Sequence, residues 1–161
     1  MLSLKARRPP TARPLLITIA LAVLALFALS AAGSSAATKK ANYKVNLVVK
    51  AALVGTNGNS NTVAGTFSGP PYGSGAVVYR TKPAGNDIAA TYTGFTEKGT
   101  LRGTTLVTPT AQPDGSTSFT GTLQVTGGTG RYRGAKAKDV KVTGTFAGNI
   151  FTFQIKGTVR Y

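Results

Sequence analysis

Few side chains in this sequence are equipped for chemistry. Its 161 residues include six Tyr, four Asp and Glu, and nineteen Lys and Arg, with no His, no Cys and no Trp. Without His there is no imidazole base and no Ser-His-Asp triad. Without Cys there is no thiolate nucleophile, disulfide or thiolate metal site. The carboxylates are Asp87, Glu97, Asp114 and Asp139. They are too few and too scattered for a calcium or magnesium cage, so no metal and no cofactor is expected. Asp87 and Glu97 flank one predicted strand. At about 3.4 Å per residue they lie on the order of 30 Å apart, too far for shared acid–base work.

The tyrosines are the better candidates. Tyr43, Tyr79, Tyr92 and Tyr132 each offer an apolar ring and a hydroxyl, which suits a phenolic or lipid-like ligand. Ordinary core packing is the competing reading. Tyr92 shares a predicted strand face with Ile88 and Ala90, which makes it the first choice for an interior position.

The formal net charge is +15. Arg131, Arg133, Lys136, Lys138 and Lys141 cluster in and just after a Gly-rich connection, a candidate basic patch for an anionic cell-surface polymer. The competing reading is dispersed charge for solubility. Nucleic acid is disfavoured, because no basic helix and no aromatic ladder is visible. The connection itself, Gly127 to Gly134, admits two readings. One is a nest of backbone N–H groups flanked by Arg131 and Arg133. The other, favoured here, is a structural crossover plugged by Tyr132, because a nest needs particular dihedrals.

The elements that must position these groups are strands. At the N-terminus, Lys5, Arg7, Arg8 and Arg13 precede an uncharged apolar run from Leu15 to Leu29, followed by small residues to Ala37. That order predicts a secretory signal peptide over residues 1–36, with cleavage after Ala36 and an exported product. An uncleaved membrane anchor is the alternative. Removal would leave one domain, residues 37–161, with a net charge of +11. Within it the alternation of apolar and polar residues predicts eight strands and no helix. The predicted strands are 43–53, 62–67, 76–82, 88–97, 100–108, 118–126, 138–146 and 151–161. Short loops between them argue an antiparallel meander. Closure into a barrel would remove its two raw edges. Repeated Gly-Thr-apolar triplets, as at Gly121-Thr122-Leu123, place glycine inside strands where a barrel must bend.

The segment Val125 to Lys136 contains Gly127-Gly128-Thr129-Gly130, then Tyr132, Gly134 and Ala135. It resembles the Gly-Gly-Thr-Gly-x-aromatic-x-x-Ala signature of the dirigent and allene oxide cyclase-like β-barrel superfamily. The resemblance implies an eight-stranded antiparallel barrel, often a homotrimer in the plant members, which act on apolar or phenolic small molecules. It gives Gly127, Gly128, Thr129, Gly130, Tyr132, Gly134 and Ala135 a structural role. No catalytic residue of that family maps onto this chain. Avidin and lipocalin barrels share the strand count, but the absence of Trp lowers both.

The expectation is therefore an exported, all-β, eight-stranded closed barrel that binds a small apolar or phenolic molecule without turning it over. A cyclase or isomerase acting by positioning is the first alternative. A basic cell-surface barrel holding an anionic polymer is the second.

Overall fold

The computed structural model describes residues 40–161; the expected signal peptide and its cleavage bond lie outside the described residues. Eight antiparallel strands run in chain order: β1 (Asn42–Asn57), β2 (Ser60–Gly69), β3 (Gly73–Ala84), β4 (Asp87–Thr96), β5 (Gly99–Ala111), β6 (Thr117–Gly128), β7 (Ala137–Ala147) and β8 (Ile150–Arg160). Each pairs with its neighbour, and β1 pairs with β8, so the sheet is a closed barrel. Closure leaves no raw edge for another chain to extend.

Alternation decides which side chains enter. Along β1, Val45, Leu47, Val49 and Ala51 are buried, while Lys44, Asn46, Val48 and Lys50 are exposed. β8 turns Phe151, Phe153, Ile155 and Val159 inward and Thr152, Gln154, Lys156, Thr158 and Arg160 outward. The buried core is wholly of apolar and Tyr side chains, and no charged residue is buried among the described residues. Each large apolar side chain removed from water contributes about 1.5–3 kcal/mol.

Most strands outrun their sequence-based limits, and for β1, β3 and β5 the reasons are identifiable. β1 continues past Leu53 because a register shift between Leu53 and Gly55 lets it stay paired with β2 up to the Asn57↔Ser60 pair. β3 runs through Pro83 and β5 through Pro109. Pro83 pairs with Ile88 on β4 but lies beyond the last β2 partner, Thr81; Pro109 pairs with Phe119 on β6 but lies beyond the last β4 partner, Val107. Each proline thus has one unpaired side, where a missing N–H costs no ladder bond.

The two ends of the barrel differ. The β1–β2, β3–β4, β5–β6 and β7–β8 turns gather at one end. The β2–β3 and β4–β5 turns gather at the other with the β6–β7 connection, which contains a short 3₁₀ turn, Gly130–Tyr132. That connection closes its end: Tyr132 is only 2% exposed.

Candidate functional site

The half of the barrel below the first set of turns contains a cavity of about 290 Å³. One wall is aromatic. Phe119, Phe146, Phe151 and Phe153 come from β6, β7 and β8, with Phe146 and Phe151 at 4.4 Å between centroids and Phe151 stacked on Phe153 at 5.8 Å. The register builds this wall, because Phe146 stands opposite Phe151, and Phe153 stands opposite Gly144, the partner of Phe119. Val63, Leu123, Val142 and Ile155 supply aliphatic surface. The polar lining is Asn61, Thr81, Thr105 and the phenol of Tyr79, with no charged side chain among the lining residues. Leu53, 51% exposed, stands at the rim.

Tyr79 stands at the floor, beside Tyr92 on the neighbouring strand. Below them is a smaller chamber of about 50 Å³, lined by both tyrosines and by Tyr72. Tyr92 donates its hydroxyl to the Gln124 carbonyl at 3.3 Å. A Cβ on Gly103 would crowd both that carbonyl and the Tyr92 hydroxyl, so glycine at 103 permits the bond. Burial raises the pKa of the Tyr79 hydroxyl above the usual phenol value. Tyr92 is raised by burial first, then by Tyr79 and Tyr72. Both rings therefore stay neutral and act as hydrogen-bond donors rather than bases.

The closed end holds the remaining tyrosines. Tyr132 makes edge-to-face contacts with Tyr72 at 5.4 Å and Tyr161 at 5.1 Å, and Tyr43 stacks on Tyr161 at 4.3 Å. The four sequence candidates thus separate. Tyr79 lines the large cavity, Tyr92 lines the small chamber, and Tyr43 and Tyr132 belong to the plug. Sequence reasoning missed the Phe wall and Tyr72. Phe151 and Phe153 were readable as one face; Tyr72 sits in a Pro-Pro turn that gives no sign of folding inward.

The Gly-rich connection is occupied with its own structure. The N–H groups of Thr129, Arg131, Tyr132, Arg133 and Ala135 donate to the carbonyls of Thr100, Lys98, Thr129, Gly130 and Tyr132. They are not free to form an anion nest. Gly130 and Gly134 adopt φ of +58° and +74°, and Ala135 is fully buried. Gly128 packs directly on Tyr132, whereas Gly127 has room for a side chain. The Thr129 hydroxyl accepts from the Thr100 N–H at 3.1 Å and lies 2.8 Å from the Thr100 hydroxyl.

Among the basic residues, Arg131 and Arg133 are exposed on the 3₁₀ turn and beside it. Lys136 donates to the Thr126 carbonyl at 2.8 Å, and Lys138 and Lys141 lie exposed on β7. Asp87 opens β4 and accepts from the Thr108 hydroxyl, while Glu97 lies in the turn beyond the other end of that strand. No group of His, Cys, Asp or Glu suited to a metal ion occurs among the described residues.

Comparison of the chain with protein-family models, with curated proteins and with solved structures finds no match.

Proposed function

We propose that this protein is an exported barrel that binds a small, neutral, apolar or phenolic molecule in the open half of its interior and releases it unchanged. The observation that carries the reading is the cavity of about 290 Å³, walled by four phenylalanines in the half of the barrel away from the buried Tyr132. An uncharged interior disfavours an ionised ligand, because a buried charge without a partner is expensive. A flat ring packs well against the Phe wall, and aromatic contacts favour it beyond simple burial. The Tyr79 phenol offers a hydrogen bond at the floor. Binding is favoured over turnover because the lining contains no carboxylate, Lys or Arg to move a proton. The likeness of Gly127–Ala135 to the dirigent and allene oxide cyclase-like signature supports the same reading, and carries with it the proposal of a homotrimer.

Fluorescence titration of the full chain with 2-naphthol, a neutral phenol of suitable size, tests this. Saturable binding at one site per chain is expected. Absence of binding to 2-naphthol and to unsubstituted naphthalene alike would overturn it.

A further inference from the structure

The outer surface opposite these chambers carries a different signal. On antiparallel strands, side chains directly opposite one another lie about 5 Å apart, and like charges there are destabilising. This barrel places two such pairs side by side. Lys141 on β7 stands opposite Lys156 on β8. Lys136, just before β7, bridges to Arg160 near the end of β8. Lys44 on β1 stands opposite Thr158, between the two pairs. All five are exposed. Arg160 lies four positions after Lys156, which sets the pairs about 13 Å apart along β8. Across β7, β8 and β1 the sole carboxylate is Asp139. Arg131 and Arg133 continue the positive surface around the closed end, and Lys40 reaches the Gly134 carbonyl there at 3.4 Å. Asp87 and Asp114 lie at the opposite, open end.

We infer that the outer face of β7, β8 and β1 binds a linear polyanion, held between the Lys141–Lys156 and Lys136–Arg160 pairs with Lys44 between them. Anionic groups recurring along a flexible polymer would relieve the repulsion in both pairs at once, which a single small anion could not do. The outward residues of these strands include no aromatic ring on which bases would stack, which disfavours single-stranded nucleic acid. Val48, 42% exposed on β1, is the single large apolar side chain beside the five cations, and one valine is too little apolar surface to enter a bilayer. A polymer bound on this face leaves the acidic open end turned away, so the cavity mouth stays in solvent. Binding on this outer face does not depend on what the cavity holds.

The test uses the full chain and four probes: long-chain inorganic polyphosphate, orthophosphate, a short single-stranded DNA and phosphatidylglycerol vesicles. Polyphosphate is expected to bind about 100-fold more tightly than orthophosphate and more tightly than DNA or vesicles. Its log affinity should fall linearly with log salt. The triple variant Lys141→Gln, Lys156→Gln, Arg160→Gln should lose about tenfold or more in affinity and about three units of salt slope. A control triple on the other side of the barrel, Arg80→Gln, Lys82→Gln, Arg102→Gln, removes the same charge and should leave affinity within about twofold of the parent. Equal losses in the two triples would overturn the proposal in favour of net charge alone. Preferential binding of vesicles or DNA, or no binding of polyphosphate, would overturn it too. Should the first triple fail to fold, Lys156→Gln alone, at an exposed strand position, reads out the same loss on a smaller scale. Without polymer, that variant should melt no lower than the parent, since it removes one of two opposed cations.

Discussion

Tyr79 and Tyr92 stand directly opposite each other on β3 and β4, with ring centroids 6.0 Å apart, and partition the barrel interior. Tyr92 is tied to the Gln124 carbonyl. Tyr79 lines the chambers on both sides of the partition, and its phenol is the hydroxylated ring that a molecule entering the open half meets. Replacing Tyr79 by Phe keeps the ring and removes the hydroxyl. A single hydrogen bond contributes about 0.5–1.5 kcal/mol net, so the affinity for 2-naphthol should fall by about two- to tenfold. The affinity for naphthalene, which has no hydroxyl, should not change. Parallel titrations of both probes check this; equal losses would mean that Tyr79 acts through packing alone.

Tyr72 behaves differently. Its hydroxyl is buried without a hydrogen-bond partner, the sole such side-chain atom among the described residues. Tyr72→Phe removes the unsatisfied group while keeping the edge contact with Tyr132. The variant should be more stable by about 1 kcal/mol. Thermal unfolding should show Tm rising by roughly 2–6 °C. A fall in Tm would show that the hydroxyl has a partner in solution.

The glycines of the β6–β7 connection are separable. A Cβ on Gly128 would clash with the Thr100 carbonyl oxygen and come within 2.9 Å of the Tyr132 Cβ, whereas on Gly127 the nearest atom is Arg102 Nε at 3.5 Å. Gly128→Ala should therefore cost about 1–3 kcal/mol, as overpacking does, and Gly127→Ala should be close to neutral. Tyr132→Ala empties the plug itself and should cost about 3–5 kcal/mol. Denaturant unfolding of the three variants gives the ranking.

Alkaline pH should unfold the barrel through its interior phenols. Burial raises the pKa of Tyr79 and Tyr92 above the ordinary value of 10.0. Below pH 10 both states keep these protons and stability is unaffected. Above it the unfolded chain ionises first, so stability falls as pH rises, by about 1.4 kcal/mol per pH unit for each buried phenol until it ionises in the folded state. Tyrosinate absorbance should lag behind that of free tyrosine and then rise together with unfolding. Simple titration of both residues near pH 10 in the folded barrel would contradict the burial.

The strands were legible because alternation is strict where one face is buried. β1 shows it from Val45 to Ala51, and β8 from Phe151 to Val159. Sequence limits failed at Pro83 and Pro109, because a lone sequence does not show that a proline's N–H side lies past the end of its neighbour strand. The site was only partly legible. Alternation tells which side chains point inward, but not how high in the barrel they sit; that depends on register. Tyr43 and Tyr79 both belong to inward rows, yet one joins the plug and the other floors the cavity. The facing of Phe146 and Phe151 likewise follows from the β7–β8 register. The cation pairs on the outer face escaped notice for the same reason, since Lys141 and Lys156 meet only across strands.

The open half of the barrel, proposed here as a binding chamber, can be filled from within. Ala90 is inward-facing, 7% exposed, and lines that chamber. Titration of 2-naphthol into the parent and into Ala90→Phe, with circular dichroism to establish that the barrel is intact, shows whether the ligand occupies that chamber. Saturable one-site binding to the parent, lost by at least tenfold when the Phe ring fills the chamber, is the expected result. Undiminished binding to a folded Ala90→Phe protein would place the ligand elsewhere and contradict it.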